Sequence, residues 1–257
     1  MKKETNKQQL YGVSPIIEAL RARNRRIENI TIAEGANNPR LRELLMLAKE
    51  NRVIVRRVPR SVLSRTVGDN VNHQGVMADV ASASYTDADL LLRKLSKQIG
   101  TENQPLVVAL DGVEDPRNLG AIIRTVECVG AHGVFIPERR AVGLNETVAK
   151  ASVGAIEHIE IARVVNMSRL IEDLKEQNIW TIGTSTDAKM NYTEWDWTQA
   201  SAIVLGGEGA GLHRLVKEKC DALVSIPICG KIESLNVSVA AGVILYEALR
   251  QRTIKQS

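Results

Sequence analysis

The sequence lacks the features that several classes of protein require. It has only three cysteines, Cys128, Cys220 and Cys229, and no Cys-x-x-Cys pair. So few cysteines argue against a disulfide framework or a zinc knuckle and fit a reducing compartment. No run of about 18 apolar residues occurs, which excludes a membrane-spanning helix, and the N-terminus has no signal-peptide pattern. We therefore expect a cytoplasmic protein with no membrane partner.

Metal binding and base stacking are also poorly supported by the composition. The four histidines are scattered, with no His-Glu-x-x-His spacing, so we predict no metal site. Aromatic residues make up only 3% of the chain, which disfavours nucleic-acid binding on aromatic platforms. Tyr192, Trp195 and Trp197 form an aromatic cluster that either stacks a base or closes a loop.

Positive charge is concentrated at one end of the chain. The net charge is +4, but residues 1–75 hold 15 lysines and arginines against 7 acidic residues, whereas residues 76–257 hold 19 against 23. A basic front half suggests a polyanionic partner such as nucleic acid. The alternative is a solvated basic surface with no partner.

The alternation of strand and helix patterns predicts two α/β domains. In the front half, short apolar strands alternate with helices, and Ser14 is placed to cap the first helix. In the back half, continuous apolar runs such as Leu106–Leu110 are typical of buried parallel strands. We predict the following division: a flexible tail at 1–7, a small α/β domain at 8–80, a linker at 81–104, and a larger α/β domain with a mostly parallel sheet at 105–257.

A polar loop follows the first strand of the back domain. It reads Asp115-Pro116-Arg117-Asn118-Leu119-Gly120 and leads into a helix that carries Arg124. Ligands of open α/β sheets gather at the carboxyl ends of strands, so this loop is a candidate site. Asn118 is placed to cap the helix, and Arg124 can point back towards the loop. Alternatively, Asn118 is only a cap and Arg124 only a surface charge.

Two more loops follow strands later in the chain. Gly206-Gly207-Glu208-Gly209-Ala210-Gly211 offers backbone N–H groups to a ligand, but it matches neither the P-loop nor the dinucleotide fingerprint. Its alternative interpretation is a mobile glycine turn. The segment from Ile226 to Ser238 leads into a long helix that either Ser234 or Asn236 caps.

Together the three loops resemble the motifs of the SpoU family of RNA ribose 2′-O-methyltransferases, in the same order. The matching runs are Asn118–Arg124, Leu205–Gly209, and Ile226–Ile228 with Ser234–Ala240. The front domain is similar to the ribosomal-protein-like substrate domain of that family, with Tyr11–Pro15 near its start and Asn72–Val76 near its end. The resemblance covers nearly the whole chain and is strongest to the bacterial branch that methylates a guanosine of 23S rRNA.

The resemblance implies a fold, a methyl donor and a set of site residues. It implies a deep trefoil knot in the back domain and S-adenosylmethionine as the donor. The implied donor-binding residues are Gly206, Gly207, Gly209, Ile226, Ile228 and Leu235. The implied catalytic residues are Arg124, Asn118, Glu208 and Asn236.

Chemistry limits the role of Arg124, because a guanidinium stays protonated at neutral pH and is a poor general base. We therefore expect Arg124 to bind the phosphate beside the target ribose and to orient the 2′-hydroxyl, while phosphate or water accepts the proton. Asn118 and Asn236 would fix Arg124 and the ribose through hydrogen bonds, and Glu208 would order its loop or complement the positive charge of the donor.

The resemblance also implies partners. RNA would be gripped by the front domain, for which we predict eight phosphate-binding arginines: Arg21, Arg23, Arg25, Arg26, Arg52, Arg56, Arg57 and Arg60. A homodimer through the long C-terminal helix is implied as well, although core packing explains the apolar residues of that helix equally well.

Two other functions remain open at this stage. One is methylation of another RNA, either tRNA or a thiostrepton-resistance type of ribosomal site. The other is a non-catalytic RNA-binding or ribosome-assembly protein, which the intact motif residues disfavour.

Overall fold

The chain folds into two units that are defined by its internal contacts. A computed structural model describes residues 7–67, 72–209 and 211–256. Unit 1 consists of Met1–Ser84 and Gly143–His158, and unit 2 of Tyr85–Val142 and Ile159–Ser257. Of the predicted flexible tail, all but Lys7 lies outside the described residues, and the predicted domain bounds stay a prediction.

Unit 1 is a mixed four-stranded sheet with helices. Its strands are β1 (Lys7–Tyr11), β2 (Ile27–Ala33), β3 (Ile54–Val58) and β4 (Val76–Ala81), in the order β1-β4-β2-β3. Its helices are α1 (Val13–Ala22), α2 (Leu41–Glu50), α3 (Arg60–Val67), α6 (Glu146–Ala151) and a 3₁₀ turn at Ala155–Glu157. Gly12 precedes α1 without a side-chain cap, so the predicted capping role of Ser14 is wrong; the Ser14 hydroxyl instead accepts a hydrogen bond from Arg40.

The segment Gly143–His158 belongs to unit 1 although the strands on either side of it in the sequence belong to unit 2. Glu146 accepts hydrogen bonds from the Gln9 amide and from the Tyr11 hydroxyl. Glu157 forms an ion pair with Arg25 in which both side chains are at most 5% exposed. Arg25 is therefore part of the core of unit 1, and its predicted role in phosphate binding is wrong.

Unit 2 is built on a seven-stranded sheet in which every neighbouring pair runs parallel. Its strands are β5 (Leu106–Asp111), β6 (Gly133–Pro137), β7 (Ile161–Val164), β8 (Trp180–Thr184), β9 (Met190–Asn191), β10 (Ser201–Gly206) and β11 (Ala222–Ser225), in the order β7-β6-β5-β10-β8-β11-β9. Its helices are α4 (Ala88–Ser96), α5 (Pro116–Cys128), α7 (Met167–Glu176), α8 (Arg214–Lys219) and α9 (Val237–Gln256).

The core of unit 2 explains its parallel architecture. The central strands β5 and β10 are buried along their whole length, as expected where helices cover both faces of a sheet. Trp197 is fully buried and donates from Nε1 to the Tyr192 carbonyl at 2.7 Å, so it closes a loop and does not offer a face to a base. The predicted α/β class, with a mostly parallel sheet and a small N-terminal α/β domain, is confirmed, while the trefoil knot stays a prediction.

The loop that follows β10 extends past Gly211, which has a φ of +65° and pairs with Gly207 in an isolated β-bridge, and helix α8 begins at Arg214. No helix among the described residues is both long and apolar enough to cross a membrane.

Candidate active site

The three predicted loops meet at one edge of the unit 2 sheet. Strands β5 and β10 are parallel neighbours, and Asp111 pairs with Gly206 at their carboxyl ends. The loops that follow these strands therefore leave the sheet side by side. The third loop follows β11 and leads to Asn236 at the start of α9, and α9 packs against α5.

Asn118, Glu208 and Asn236 form one hydrogen-bonded cluster. The Asn118 side-chain amide donates to Glu208 Oε1 at 2.5 Å. The Asn236 amide donates to the same Glu208 oxygen at 2.9 Å and lies 3.1 Å from Asn118 Oδ1. Each of the three loops thus contributes one polar side chain to this cluster.

The local structure explains why these side chains are available. Asp115 caps α5 by accepting from the Arg117 amide, so Asn118 is not the predicted cap and its side chain is free to reach Glu208. Of the two residues considered for capping α9, Asn236 does so, since its Oδ1 accepts from the Ser238 amide at 2.9 Å. Its Nδ2 donates at the same time to Glu208 and Asn118.

Arg124 forms no hydrogen bond with this cluster. Its side chain is exposed on α5, and within the described part of the chain it forms no ion pair or side-chain hydrogen bond. The predicted hydrogen bonds of Asn118 and Asn236 with Arg124 are absent. The Asn118 oxygen accepts from the Asn236 amide instead, and the Asn236 oxygen accepts from the Ser238 backbone amide. The role of Arg124 in the reaction stays a prediction.

A cavity of about 520 Å³ opens beside the cluster, a size typical of small-molecule sites. Glu208 and Asn236 form part of its wall. All six residues predicted to hold the methyl donor line this cavity: Gly206, Gly207, Gly209, Ile226, Ile228 and Leu235. Ile228 and Leu235 are 38% and 41% exposed, so they offer apolar surface to a bound molecule.

Close backbone approach requires glycine at two positions of this wall. A Cβ at Gly206 would lie 2.0 Å from the carbonyl carbon of Gly211, and a Cβ at Gly207 would lie 2.2 Å from the Gly112 oxygen. Gly209 has a φ of +83°, which side chains rarely adopt, and nothing lies within 4 Å of a Cβ there. The first two glycines therefore let the loop pack, and the third leaves open space.

The cavity wall is more acidic than basic. Asp187, Glu208 and Glu233 line it together with one lysine, Lys217, whose ammonium is 3.9 Å from Asp187. This balance suits a ligand that carries positive charge.

Sequence reasoning missed Asp111 and His213, which form part of a second cavity of about 350 Å³. Asn118 and Glu208 also line this second cavity. The buried Asp111 carboxylate accepts from the His213 amide at 2.8 Å and lies 3.0 Å from His213 Nδ1. The signal in the sequence was a carboxylate at the end of an otherwise apolar strand. In the described ranges, no group of three or more His, Cys, Asp or Glu side chains is placed to hold a metal ion.

Comparisons with known proteins point to the same family as the three motifs. Residues 105–246 match the model of the SpoU rRNA methylase family, and residues 9–86 match that of the RNA 2′-O ribose methyltransferase substrate-binding domain. YacO of Bacillus subtilis, named as a TrmH family tRNA/rRNA methyltransferase, is 44% identical over 95% of both chains. The 23S rRNA (guanosine-2′-O-)-methyltransferase RlmB of Pseudomonas syringae is 40% identical over 97% of this chain and 98% of its own.

A solved structure shows the same fold with the methyl donor bound. AviRb, a SpoU methyltransferase of Streptomyces viridochromogenes in complex with AdoMet, superposes with a TM-score of 0.78 at 26% identity, covering 97% of this chain and 92% of its own. The resemblance found in the motifs is thus confirmed, and the chain belongs to the SpoU rRNA methylase family.

Proposed function

We propose that this chain methylates the ribose 2′-oxygen of a guanosine in 23S rRNA. The enzyme class and the donor follow from the family: the chain is an RNA methyltransferase that uses S-adenosylmethionine. The observation that carries the proposal is the cluster of Asn118, Glu208 and Asn236, which forms the wall between two cavities at the carboxyl ends of β5 and β10.

The residues of the larger cavity fit the methyl donor. S-adenosylmethionine, when bound, supplies an electrophilic methyl group on a cationic sulfonium. Ile226, Ile228 and Leu235 offer apolar contact to an adenine ring, and the glycines leave backbone groups accessible to its polar edges. Glu208 stands in the wall shared by both cavities, where its charge complements a cation.

We assign the neighbouring cavity of about 350 Å³ to the target ribose. Asn118 and Glu208 line it, and their hydrogen bonds hold them in fixed positions before RNA arrives. Arg124 is exposed and without an ion-pair partner among the described residues, as expected of a side chain that binds a phosphate. Phosphate or water would then accept the hydroxyl proton.

RNA binding by unit 1 would use its exposed arginines. Six of the eight predicted arginines are exposed and form no ion pair within the described ranges: Arg23, Arg26, Arg52, Arg56, Arg57 and Arg60. Arg21 is exposed, but it already forms ion pairs with Glu18 and Glu43, so its guanidinium is less available to a phosphate. Phosphate contacts of this kind make affinity fall steeply with salt, so RNA binding that is insensitive to salt would contradict this role.

We also propose a homodimer through α9. Val239 and Tyr246 lie seven residues apart, on one face of the helix, and are 51% and 54% exposed. Sedimentation of the wild-type chain and of Tyr246→Asp tests this pairing. A wild-type chain that sediments as a monomer at micromolar concentration would contradict it.

A methyl-transfer assay separates the candidate functions. Tritiated S-adenosylmethionine is incubated with the enzyme and total RNA from cells that lack the gene, and the labelled nucleotide is mapped. Label at the 2′-oxygen of a 23S guanosine supports the proposal. Label in tRNA supports the second candidate; the relative at 44% identity is named for both tRNA and rRNA. No incorporation into any RNA, including assembling ribosomal particles, would overturn both. The cytoplasmic location stays a prediction.

A further inference from the structure

A third cavity in unit 2 has no role in the proposed function so far. It measures about 480 Å³ and lies beyond the carboxyl ends of β6 and β7. Its wall includes Arg140 and His213, which also line the cavity assigned to the target ribose. The three cavities therefore follow one another along one edge of the sheet: donor, target ribose, and this third cavity, which we call the flank cleft.

The flank cleft is basic, whereas the donor cavity is mostly acidic. Arg139, Arg140 and Arg214 line it. Arg139 and Arg140 are exposed and form no ion pair within the described part of the chain, and Arg214 has only a long 3.8 Å contact with Glu218. The one carboxylate in the lining, Asp111, is already engaged by His213. The cleft thus presents uncompensated positive charge, which attracts a polyanion.

The backbone at Arg140 is in an unusual conformation. Its φ is +55°, in the left-handed region that residues with a Cβ rarely adopt. Outliers of this kind cluster at functional sites, where they aim a side chain that a relaxed backbone would direct elsewhere.

Two aliphatic side chains in the same cleft are unusually exposed. Val165 is 85% exposed and Leu215 is 56% exposed, and both belong to its lining. Apolar groups beside arginines suit a ligand that combines phosphate with flat apolar surface. A nucleotide has this combination, since its base and sugar carry apolar faces.

We propose that the flank cleft binds the RNA nucleotide adjacent to the methylated one, with the arginines on its phosphates and the aliphatic pair against its base or sugar. This inference rests on the proposed function, because it takes RNA as the substrate. It adds a site within the methyltransferase unit itself, so that recognition of the target does not depend on unit 1 alone.

The main test removes the charge of the cleft. The variant Arg139→Gln/Arg140→Asn/Arg214→Gln keeps polar side chains, and asparagine tolerates the left-handed backbone at residue 140. The matched control is Arg169→Gln, an exposed arginine of unit 2 that lines none of the three cavities. We measure RNA affinity at several salt concentrations, donor affinity by calorimetry, and the rate at saturating RNA.

We expect the triple variant to bind substrate RNA at least tenfold more weakly, with a salt slope smaller by about one for each phosphate that the cleft no longer binds. Donor affinity should equal that of wild type. RNA affinity and salt slope equal to those of the control would overturn the inference. Wild-type donor affinity verifies that the triple variant is folded.

A second variant tests the apolar contact. Val165→Ser/Leu215→Ser keeps every charge and should raise KM for RNA severalfold with an unchanged salt slope, and an unchanged KM would contradict base or sugar contact there. A wild-type chain that methylates no RNA would contradict the proposed function. The comparison of RNA affinity between the variants would still test whether the flank cleft binds RNA.

Discussion

The Asn236 side-chain amide donates a hydrogen bond to Asn118 Oδ1 at 3.1 Å, although the two residues are 118 positions apart in the sequence. The same nitrogen lies 2.9 Å from Glu208, while the oxygen of the same side chain caps α9. One amide therefore determines both where the helix begins and where the Glu208 carboxylate sits.

The two roles of Asn236 can be separated by substitution. Aspartate is an equally good cap, so α9 should begin at the same residue in Asn236→Asp as in wild type. It removes the donor and places a negative charge beside Glu208, and a hydrogen bond to a charged group is worth about 1.5–3 kcal/mol. We expect methyl transfer to fall tenfold or more, and Asn236→Ala to lose stability as well. Wild-type kcat in Asn236→Asp would show that the cluster has no part in catalysis.

The glycine loop should tolerate no side chain at two positions. Gly206→Ala and Gly207→Ala each place a Cβ against backbone atoms at 2.2 Å or less, so the loop must move. We expect both variants to lose most of their affinity for S-adenosylmethionine in calorimetry. Gly230→Ala is the control, because it meets nothing within 4 Å and lies in the same unit. Equal donor affinity in all three variants would show that the packing of the loop is irrelevant to the site.

Arg124 should affect the reaction and leave donor binding intact. It is exposed and lies outside the lining of the donor cavity. We expect Arg124→Ala to abolish methyl transfer while donor affinity stays within a factor of two. Arg117→Ala serves as a control from the same helix. Full activity in Arg124→Ala would remove this arginine from the mechanism.

Arg25 should be a structural residue. Removing it leaves Glu157 buried without its partner, and burial already raises the pKa of that carboxyl. Loss of one partner of a buried ion pair costs about 3–5 kcal/mol, so Arg25→Ala should lower the urea midpoint strongly. Arg21→Ala, which breaks an exposed pair, should cost about 1 kcal/mol or less. Weaker RNA binding with unchanged stability in Arg25→Ala would restore the phosphate-binding role.

His73 should make stability depend on pH. It is 6% exposed, and burial lowers its pKa below the ordinary value. Its Nδ1 accepts from the Gly75 amide at 3.0 Å, which requires a neutral ring. Because the unfolded chain then takes up the proton more readily, stability should be complete above pH 6.5 and should fall as the pH drops through 6.5. Between pH 7.5 and 5.5 the urea midpoint should fall less in His73→Gln than in wild type. An equal fall in both would contradict this assignment.

The meeting of the three loops could be predicted from the sequence, because local sequence patterns mark the strands that the loops follow. Apolar runs mark parallel strands, and the carboxyl ends of such strands meet at one edge, which is where Asn118, Glu208 and Asn236 lie. The cap of α9 was also among the predicted alternatives, because capping depends on the residues next to a helix end.

Other features depend on partners that are distant in the sequence. The burial of Arg25 depends on Glu157, 132 positions away, so its charge alone predicts the wrong role. The prediction of Asn118 as a cap is wrong because α5 begins earlier, at Pro116 with Asp115 as its cap, so Asn118 lies within the first turn of the helix. The dyad of Asp111 and His213 likewise joins residues 102 positions apart. The flank cleft has no motif, since Arg139 and Arg140 follow β6 whereas Arg214 lies far along the chain, at the start of α8.

The placement of Gly143–His158 in unit 1 has a consequence for any attempt to produce that unit separately. The polypeptide passes between the units at three points, at residues 84/85, 142/143 and 158/159, so a single cut cannot release either one intact. A fragment that stops at Ser84 would keep Arg25 but lose the carboxylate that neutralises it. An RNA-binding module taken from this enzyme would have to be engineered by rejoining the inserted segment to the N-terminal fragment.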